Sequence, residues 1–285
     1  RVVGDDVRQH ERVGAAVRPN TAGASTLAAL SVPPHRTDAV VDYLAGIPGM
    51  NHCYLREDSW NLWIVATAPD EETLAATLRE IAAGTGLRVL DLRLVRPFHI
   101  DLGFSLDGAG PKPRPAAGVD RSVLRASDKA LLQILSDGIP LVPEPYQEIA
   151  VRLDRPEAEV MQRIDALCAA GVISRFGIIV RHRRLGWNAN AMVVWDVPAA
   201  GIEAAGEALA RLPGVSLCYQ RRTEPDVWPY PLYIMVHGRA RGEALEVVAE
   251  AAALPQLAGI AHKVLFSTHC FKQTGAWLHR QGVAV

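Results

Sequence analysis

Two stretches of the chain share one pattern of apolar and polar positions. Ile47-Pro48-Gly49-Met50-Asn51-His52-Cys53-Tyr54 returns as Leu212-Pro213-Gly214-Val215-Ser216-Leu217-Cys218-Tyr219. Each phrase follows an amphipathic helical stretch and leads into a second apolar strand, over 61–66 in the first copy and 231–238 in the second. Self-similarity at so long a period signals a duplicated supersecondary unit. In the first copy, residues 24–32 are small and β-tolerant and stop at Pro33-Pro34. Residues 36–46 read as a helix with Val40, Val41 and Leu44 on one face. Strands near 49–57 and 60–68 follow. Asp70-Glu71-Glu72 opens a second helix with its acids where the macrodipole favours them, and Gly84 and Gly86 close it. Residues 87–95 alternate as a final strand. The order is β-α-β-β-α-β, a ferredoxin-like unit. The second copy repeats it from Asn188 to about Phe271, with strands near 193–197, 214–222, 231–237 and 260–266 and helices near 200–211 and 240–253.

The segment between the copies does not repeat. Residues 107–120 are a Pro/Gly linker expected to be semi-stiff and exposed. Residues 121–181 read as three short helices and a wing. Ser127-Asp128 caps the first helix, whose apolar face is Leu131, Leu132, Ile134 and Leu135. Residues 146–153 form the second and 155–170 the third, ended by Gly171. Val172 to Arg175 and Ile178 to Val180 are expected to form the two strands of the wing. The fold class is therefore α+β: two ferredoxin-like domains, over 13–106 and 182–285, with a winged helix-turn-helix between them. Residues 1–12 read as the remnant of a further helix-turn-helix.

Composition narrows the function. The chain has 285 residues, 49% hydrophobic, with a net charge of −1. That excludes a disordered polymer and argues against strong non-specific attraction to nucleic acid or anionic membrane. Cys53, Cys168, Cys218 and Cys270 are scattered with no C-x-x-C pair, which suggests a reduced cytoplasmic setting rather than a disulfide or zinc framework. No apolar run reaches the length of a membrane-spanning helix.

A winged helix-turn-helix followed by a β-α-β-β-α-β domain resembles the Lrp/AsnC regulators. In detail the chain resembles a branch of that superfamily with another task, the siroheme decarboxylases, in the fused form whose D-type and L-type halves serve synthesis of d-type haem. The first half carries the D-type likeness in Arg18-Pro19-Asn20-Thr21-Ala22-Gly23, Asn51-His52-Cys53-Tyr54 with Arg56-Glu57, Asn61-Leu62-Trp63 and the run from His99 to Phe104. The second carries the L-type likeness in Val180-Arg181-His182-Arg183, Asn190-Ala191-Met192, Cys218-Tyr219, Trp228-Pro229-Tyr230, Val236-His237-Gly238 and Phe271-Lys272-Gln273. One departure is that the first half lacks its own helix-turn-helix. The resemblance implies loss of carbon dioxide from two acetate side chains of siroheme to give didecarboxysiroheme. It also implies no cofactor beyond the iron of that substrate, and a homodimer paired through the sheets.

The alternative is a ligand-responsive DNA-binding regulator. From Arg121 to Arg181 eight basic residues meet eight acidic ones, and the start of the third helix carries Asp154, Glu157 and Glu159. Acids at that end repel a phosphate backbone. The connection from Gly138 to Tyr146 is also long and proline-stiffened for a DNA-reading turn. A tetrapyrrole carrier without catalysis is a further possibility that only product analysis separates from the enzyme.

His237 ends an apolar strand just before a helix, where ligands are commonly presented. An isolated histidine there would more often be bonded to nearby backbone. The likeness to the L-type half and the loss of this histidine from the first copy favour catalysis. His182, within Arg181-His182-Arg183-Arg184, is the second catalytic candidate, against a plain solvated basic run. Histidine titrates near neutral pH and suits proton donation, and either one could approach the substrate iron as an axial ligand. Arg181, Arg183, Arg221 and Arg222 are candidates for binding carboxylates, since guanidinium forks pair with them bidentately. Period two lets only Arg221 share a face with Tyr219. Tyr219, Trp228 and Tyr230 offer aromatic surface, with core packing equally open for Trp228, and Lys272 is an even choice between an acid partner and solvent. His52, Tyr54 and Arg56 keep a polar face in the first half, a supporting pocket or a vestigial one.

Overall fold

The computed structural model describes residues 11–100, 118–180 and 186–279. In chain order the elements are β1 (Glu11–Val17), β2 (Ala24–Leu30), α1 (Thr37–Ala45), β3 (Met50–Arg56), β4 (Leu62–Ala68), α2 (Glu71–Thr85), β5 (Val89–Leu92) and β6 (Leu94–Ile100). Then come α3 (Asp128–Asp137), α4 (Pro145–Leu153), α5 (Glu157–Ala169) and β7 (Ile173–Val180). The last part holds β8 (Ala189–Trp195), α6 (Ile202–Arg211), β9 (Val215–Arg221), β10 (Leu232–Gly238), α7 (Arg241–Ala252) and β11 (His262–Gln273). Local chemistry sets the ends. The Asp70 carboxylate accepts the Thr73 N–H at 2.7 Å to start α2, and Gly86 stops it in the left-handed region at φ 65°.

Both units have the expected strand–helix order, but their final strands are exchanged. One sheet runs β5-β2-β4-β3-β11-β8-β10-β9-β6. The last strand of the first unit splits at Arg93, so that β5 pairs with its own β2 while β6 crosses to β9 of the second unit. β11 does the reciprocal thing without a break. His262 to Phe266 pair with β8, and Ser267 to Gln273 cross to β3 of the first unit. The sheet's two ends, β5 and β6, are joined by one residue, so the sheet folds back and its two halves face each other. The two units are thereby paired through their sheets within one chain.

Three apolar layers follow from the period of two. The outer faces of the two half-sheets bury Leu30, Ile64 and Ala66 under α1 and α2, and Trp195, Ile234 and Val236 under α6 and α7. The inner faces meet through Trp63, Leu92, Met192, Val194, Trp228, Tyr233 and Leu265. Each large side chain so buried contributes roughly 1.5–3 kcal/mol.

The middle module has the three expected helices. Its wing differs from expectation. Residues 173–180 form one continuous strand, and its antiparallel partner is β1, not its own second half. Glu11 and Arg12 fall in β1, and Ala15 lies in the module's apolar core with Leu131, Leu135 and Leu167. A short alternating strand can pair with any free edge, and the edge supplied by residues 11–17 lies where a hairpin return would be. Inside the module the Arg163 fork grips Asp128, with Nε at 3.0 Å from Oδ1 and Nη2 at 2.6 Å from Oδ2. Burial opposes the Asp128 charge, but the Arg163 fork and the Arg125 N–H outweigh it and hold the carboxyl below its ordinary range. Arg163 on α5 is thus turned inward and is withdrawn from any external anion.

Residues 274–279 leave β11 and bind the module to the first unit. Gln133 Oε1 accepts the Leu278 N–H at 2.7 Å, and Thr67 Oγ1 accepts the Trp277 N–H at 2.8 Å.

Candidate functional site

The repeated phrase carries a β-bulge in both copies. Pairing of β9 with β10 shifts between Met235 and Val236, leaving Ser216 as the extra residue, and β3 with β4 shifts so that Asn51 is extra. A bulge re-aims a side chain. In the second copy it turns the Ser216 hydroxyl onto His237, with Oγ 2.9 Å from Nδ1. On the other side of the ring, Asn190 Nδ2 of neighbouring β8 is 3.0 Å from Nε2. Asn190 Oδ1 in turn accepts from Arg56 Nη2 at 3.2 Å, and Arg56 Nη1 donates to the Leu265 carbonyl at 3.0 Å. Arg56 belongs to the first unit and is only 7% exposed. A polar chain therefore crosses β3, β11, β8, β10 and β9 on the inner face, with the half-buried His237 near its end.

Tyr219 and Arg221 share that inner face, as period two requires, because Tyr219 pairs directly with Tyr233. Arg221 Cζ stands 5.3 Å from the Tyr219 ring centre and 5.8 Å from that of Tyr233, and Nη1 donates to the Leu92 carbonyl at 3.0 Å. Tyr219 and Arg221 are both half-buried. Burial pushes the Tyr219 phenol up to about 12, against the pull of the Arg221 cation, and lowers the Arg221 guanidinium from its ordinary value. Tyr219 is thus a neutral hydroxyl near pH 7.

The other expected site residues divide. Trp228 is fully buried, donates from Nε1 to Tyr233 Oη at 2.7 Å and tilts against Trp63 at 5.2 Å. Its role is to fill the core between the half-sheets, so it offers no open aromatic surface. Tyr230 is half-buried and edge-on to Trp228 at 5.0 Å. Arg222 is exposed at the start of the β9–β10 loop. Lys272 stands apart on the flank of the first unit, where Nζ donates to the Ala45 carbonyl at 3.3 Å. His182, Arg181 and Arg183 lie outside the described residues. Of the first-half trio, His52 stacks on Tyr54 at 6.2 Å and Arg56 caps the Tyr54 ring at 5.5 Å, but Arg56 serves the second unit. Sequence reasoning assigned no role to Ser216, Asn190 or Arg56 in the His237 surround. The one signal available for Ser216 was its place in the doubled phrase, opposite Asn51.

Two family models match the chain. The AsnC-like ligand binding domain covers residues 22–99 and 184–272, and the siroheme decarboxylase NirDL-like helix-turn-helix domain covers 128–173. The siroheme decarboxylase NirDL subunit of Paracoccus denitrificans is 56% identical over 93% of this chain and 82% of its own length. The siroheme decarboxylase of Hydrogenobacter thermophilus is 34% identical over 87% of this chain and 75% of its own length. Among solved structures, siroheme decarboxylase NirDL in complex with an iron-uroporphyrin III analogue superimposes with a TM-score of 0.67. That match has 26% identity, over 94% of this chain and 79% of the other.

Proposed function

The chain belongs to the siroheme decarboxylase family, and from that premise we propose that it is a cytoplasmic carboxy-lyase that converts siroheme to didecarboxysiroheme. In each of two steps the bond from an acetate methylene to its carboxylate breaks. Carbon dioxide leaves, and the electron pair stays on the methylene, conjugated with the ring. That carbon takes up a proton and becomes a methyl group. The iron is part of the substrate. The proposed proton donors are His237 and His182, with Arg181, Arg183 and the exposed Arg222 pairing with carboxylates that do not react. Tyr219, neutral at working pH, is a hydrogen-bond partner for the substrate on the inner face. Nε2 of His237 meets Asn190, so a proton passes through that nitrogen only once the contact opens.

The observation that carries this reading is the placement of His237. It stands half-buried on the face between the units and is held through both ring nitrogens, while the equivalent position of the first unit is Thr67. The DNA-binding reading gains nothing from the module, whose Arg163 is spent on Asp128. Homodimerisation belongs to the same proposal and is tested by the mass of the protein in solution. The test is anaerobic incubation with siroheme, followed by absorption spectrum and product mass. The protein should release two carbon dioxides per siroheme, and His237→Ala should lower turnover roughly 100-fold or more. A shift in the spectrum without mass loss would reduce the protein to a carrier, and full turnover by the variant would remove His237 from the chemistry.

A further inference from the structure

The polar chain through His237 has a fixed direction, because its two ends have fixed polarity. A guanidinium only donates and a main-chain carbonyl only accepts. Arg56 Nη2 donates to Asn190 Oδ1, which leaves Asn190 Nδ2 as the donor towards His237 Nε2. Nε2 must then present its lone pair. The neutral ring carries its proton on Nδ1 and donates it to Ser216 Oγ, whose own hydrogen goes to the Met235 carbonyl at 3.0 Å.

We infer that Arg56, a first-unit residue, is a positioning residue for the second unit's site: through Asn190 it selects the Nδ1–H tautomer of His237 and fixes the ring's orientation. The inference rests on the reading of His237 as a proton donor, in which the bare Nε2 takes up a proton once the Asn190 contact opens and then gives it to the substrate methylene. Arg56 is well placed to set a geometry rather than follow one. It is buried, its second arm is anchored on the Leu265 carbonyl, and the Tyr54 ring lies beneath it. The reciprocal residue shows what is special. Arg221 makes the same strand-crossing contact, to the Leu92 carbonyl, but the position corresponding to Asn190 is Ser25, whose hydroxyl donates to Asn20 at 2.8 Å. There the chain stops. One unit thus lends its arginine to the other's histidine, and the loan is not returned.

The test uses the full chain with histidines labelled in nitrogen-15, the His237 signals being identified by their loss in His237→Gln. Long-range proton–nitrogen correlation should show Nδ1 protonated and Nε2 bare. In Arg56→Met that preference should collapse to a mixture of tautomers. The kcat for siroheme should fall about 10-fold with KM changed less than about threefold, in the range for losing a group that orients a catalytic histidine. Arg56→Lys, which keeps a donor, should recover part of both. Asn190→Leu keeps the volume, removes the donor and should reproduce the tautomer loss should Arg56→Met not fold. A parent protein with Nε2–H dominant, or a tautomer unchanged in both Arg56→Met and Asn190→Leu, overturns the inference. A tautomer lost as expected with kcat untouched upholds Arg56 as positioning His237 and instead removes His237 from the proton transfer.

Discussion

At the next-to-last position of the strand that follows the repeated phrase, the first unit has Thr67 and the second His237. The backbones around them match closely. Each neighbouring strand has its bulge, each unit sends its last strand across to the other, and each crosses with an arginine bonded to a carbonyl of the exchanged strand. The surroundings differ. Thr67 donates to the Gly49 carbonyl and accepts the Trp277 N–H, so residues 274–279 lie over it. His237 is held at its two ring nitrogens by the side chains of Ser216 and Asn190. Duplication supplied one scaffold twice. The same bulge delivers a hydroxyl to an imidazole in one unit and a main-chain carbonyl to Thr274 in the other. What separates a site from a scaffold here is a few polar identities on the inner face, not the fold.

The largest expected effect concerns what holds the two inner faces together. Trp228 comes from the longer β9–β10 loop, is fully buried and packs on Trp63 of the first unit, whereas Trp60 of the short β3–β4 loop joins the same core only half-buried. Trp228→Ala should cost about 3–5 kcal/mol, from lost burial, the cavity left and an orphaned Tyr233 hydroxyl. Chemical denaturation checks it. A loss under about 1 kcal/mol would mean that the units are held by their exchanged strands alone, and that the longer loop is not what distinguishes the second unit.

Much of this was legible in the sequence, in specific ways. Period two correctly placed Tyr219 and Arg221 on one face, and the helix signals at Asp70 and Gly86 are where α2 starts and stops. The exchange of β6 and the far half of β11 was not legible. An alternating strand records which of its faces is buried and not which edge it joins, so residues 260–266 were readable as a strand while 267–273 were not assigned to the other unit. The partnering of β1 with β7 failed for the same reason. At the site, His237 stood out because its type is rare at a strand end. Asn190 and Ser216 did not, since each is ordinary until its neighbour is known. Arg56 looked like part of a first-half pocket because its partner lies 134 positions away. Trp228 carried equal arguments for core and surface, and only three-dimensional packing against Trp63 decided between them.

A smaller effect would sharpen the contrast between Asn190 and Ser25. Asn190→Asp replaces a donor at Nε2 with a carboxylate, which accepts. The network would then fit the doubly protonated ring, with Nε2–H on the carboxylate and Nδ1–H still on Ser216. An adjacent carboxylate favours the charged imidazole, so its protonation midpoint should rise by about 1 unit or more. If the ring must be protonated to act, turnover that fades with rising pH should persist to higher pH in the variant. Ser25→Asp, at the equivalent place beside Thr67, should leave the pH profile of turnover where it was. A profile unmoved by Asn190→Asp would separate His237 from the group that controls the rate.

The smallest effect tests whether Thr67 is only scaffold. It is 5% exposed, and its hydroxyl bridges the Gly49 carbonyl at 3.3 Å and the Trp277 N–H at 2.8 Å. Thr67→Val keeps the shape and removes the bridge, leaving the Trp277 N–H without its acceptor. The cost should be about 1–2 kcal/mol, seen as faster amide exchange at Trp277 and Leu278 before any change in the second unit. Turnover of siroheme should stay within about twofold of the parent, because the Thr67 hydroxyl is bonded to Gly49 and Trp277, outside the His237 chain. Were Thr67→Val to slow turnover as severely as loss of His237, residues 274–279 would be part of the catalytic machinery. The two copies would then share the reaction rather than divide scaffold from site.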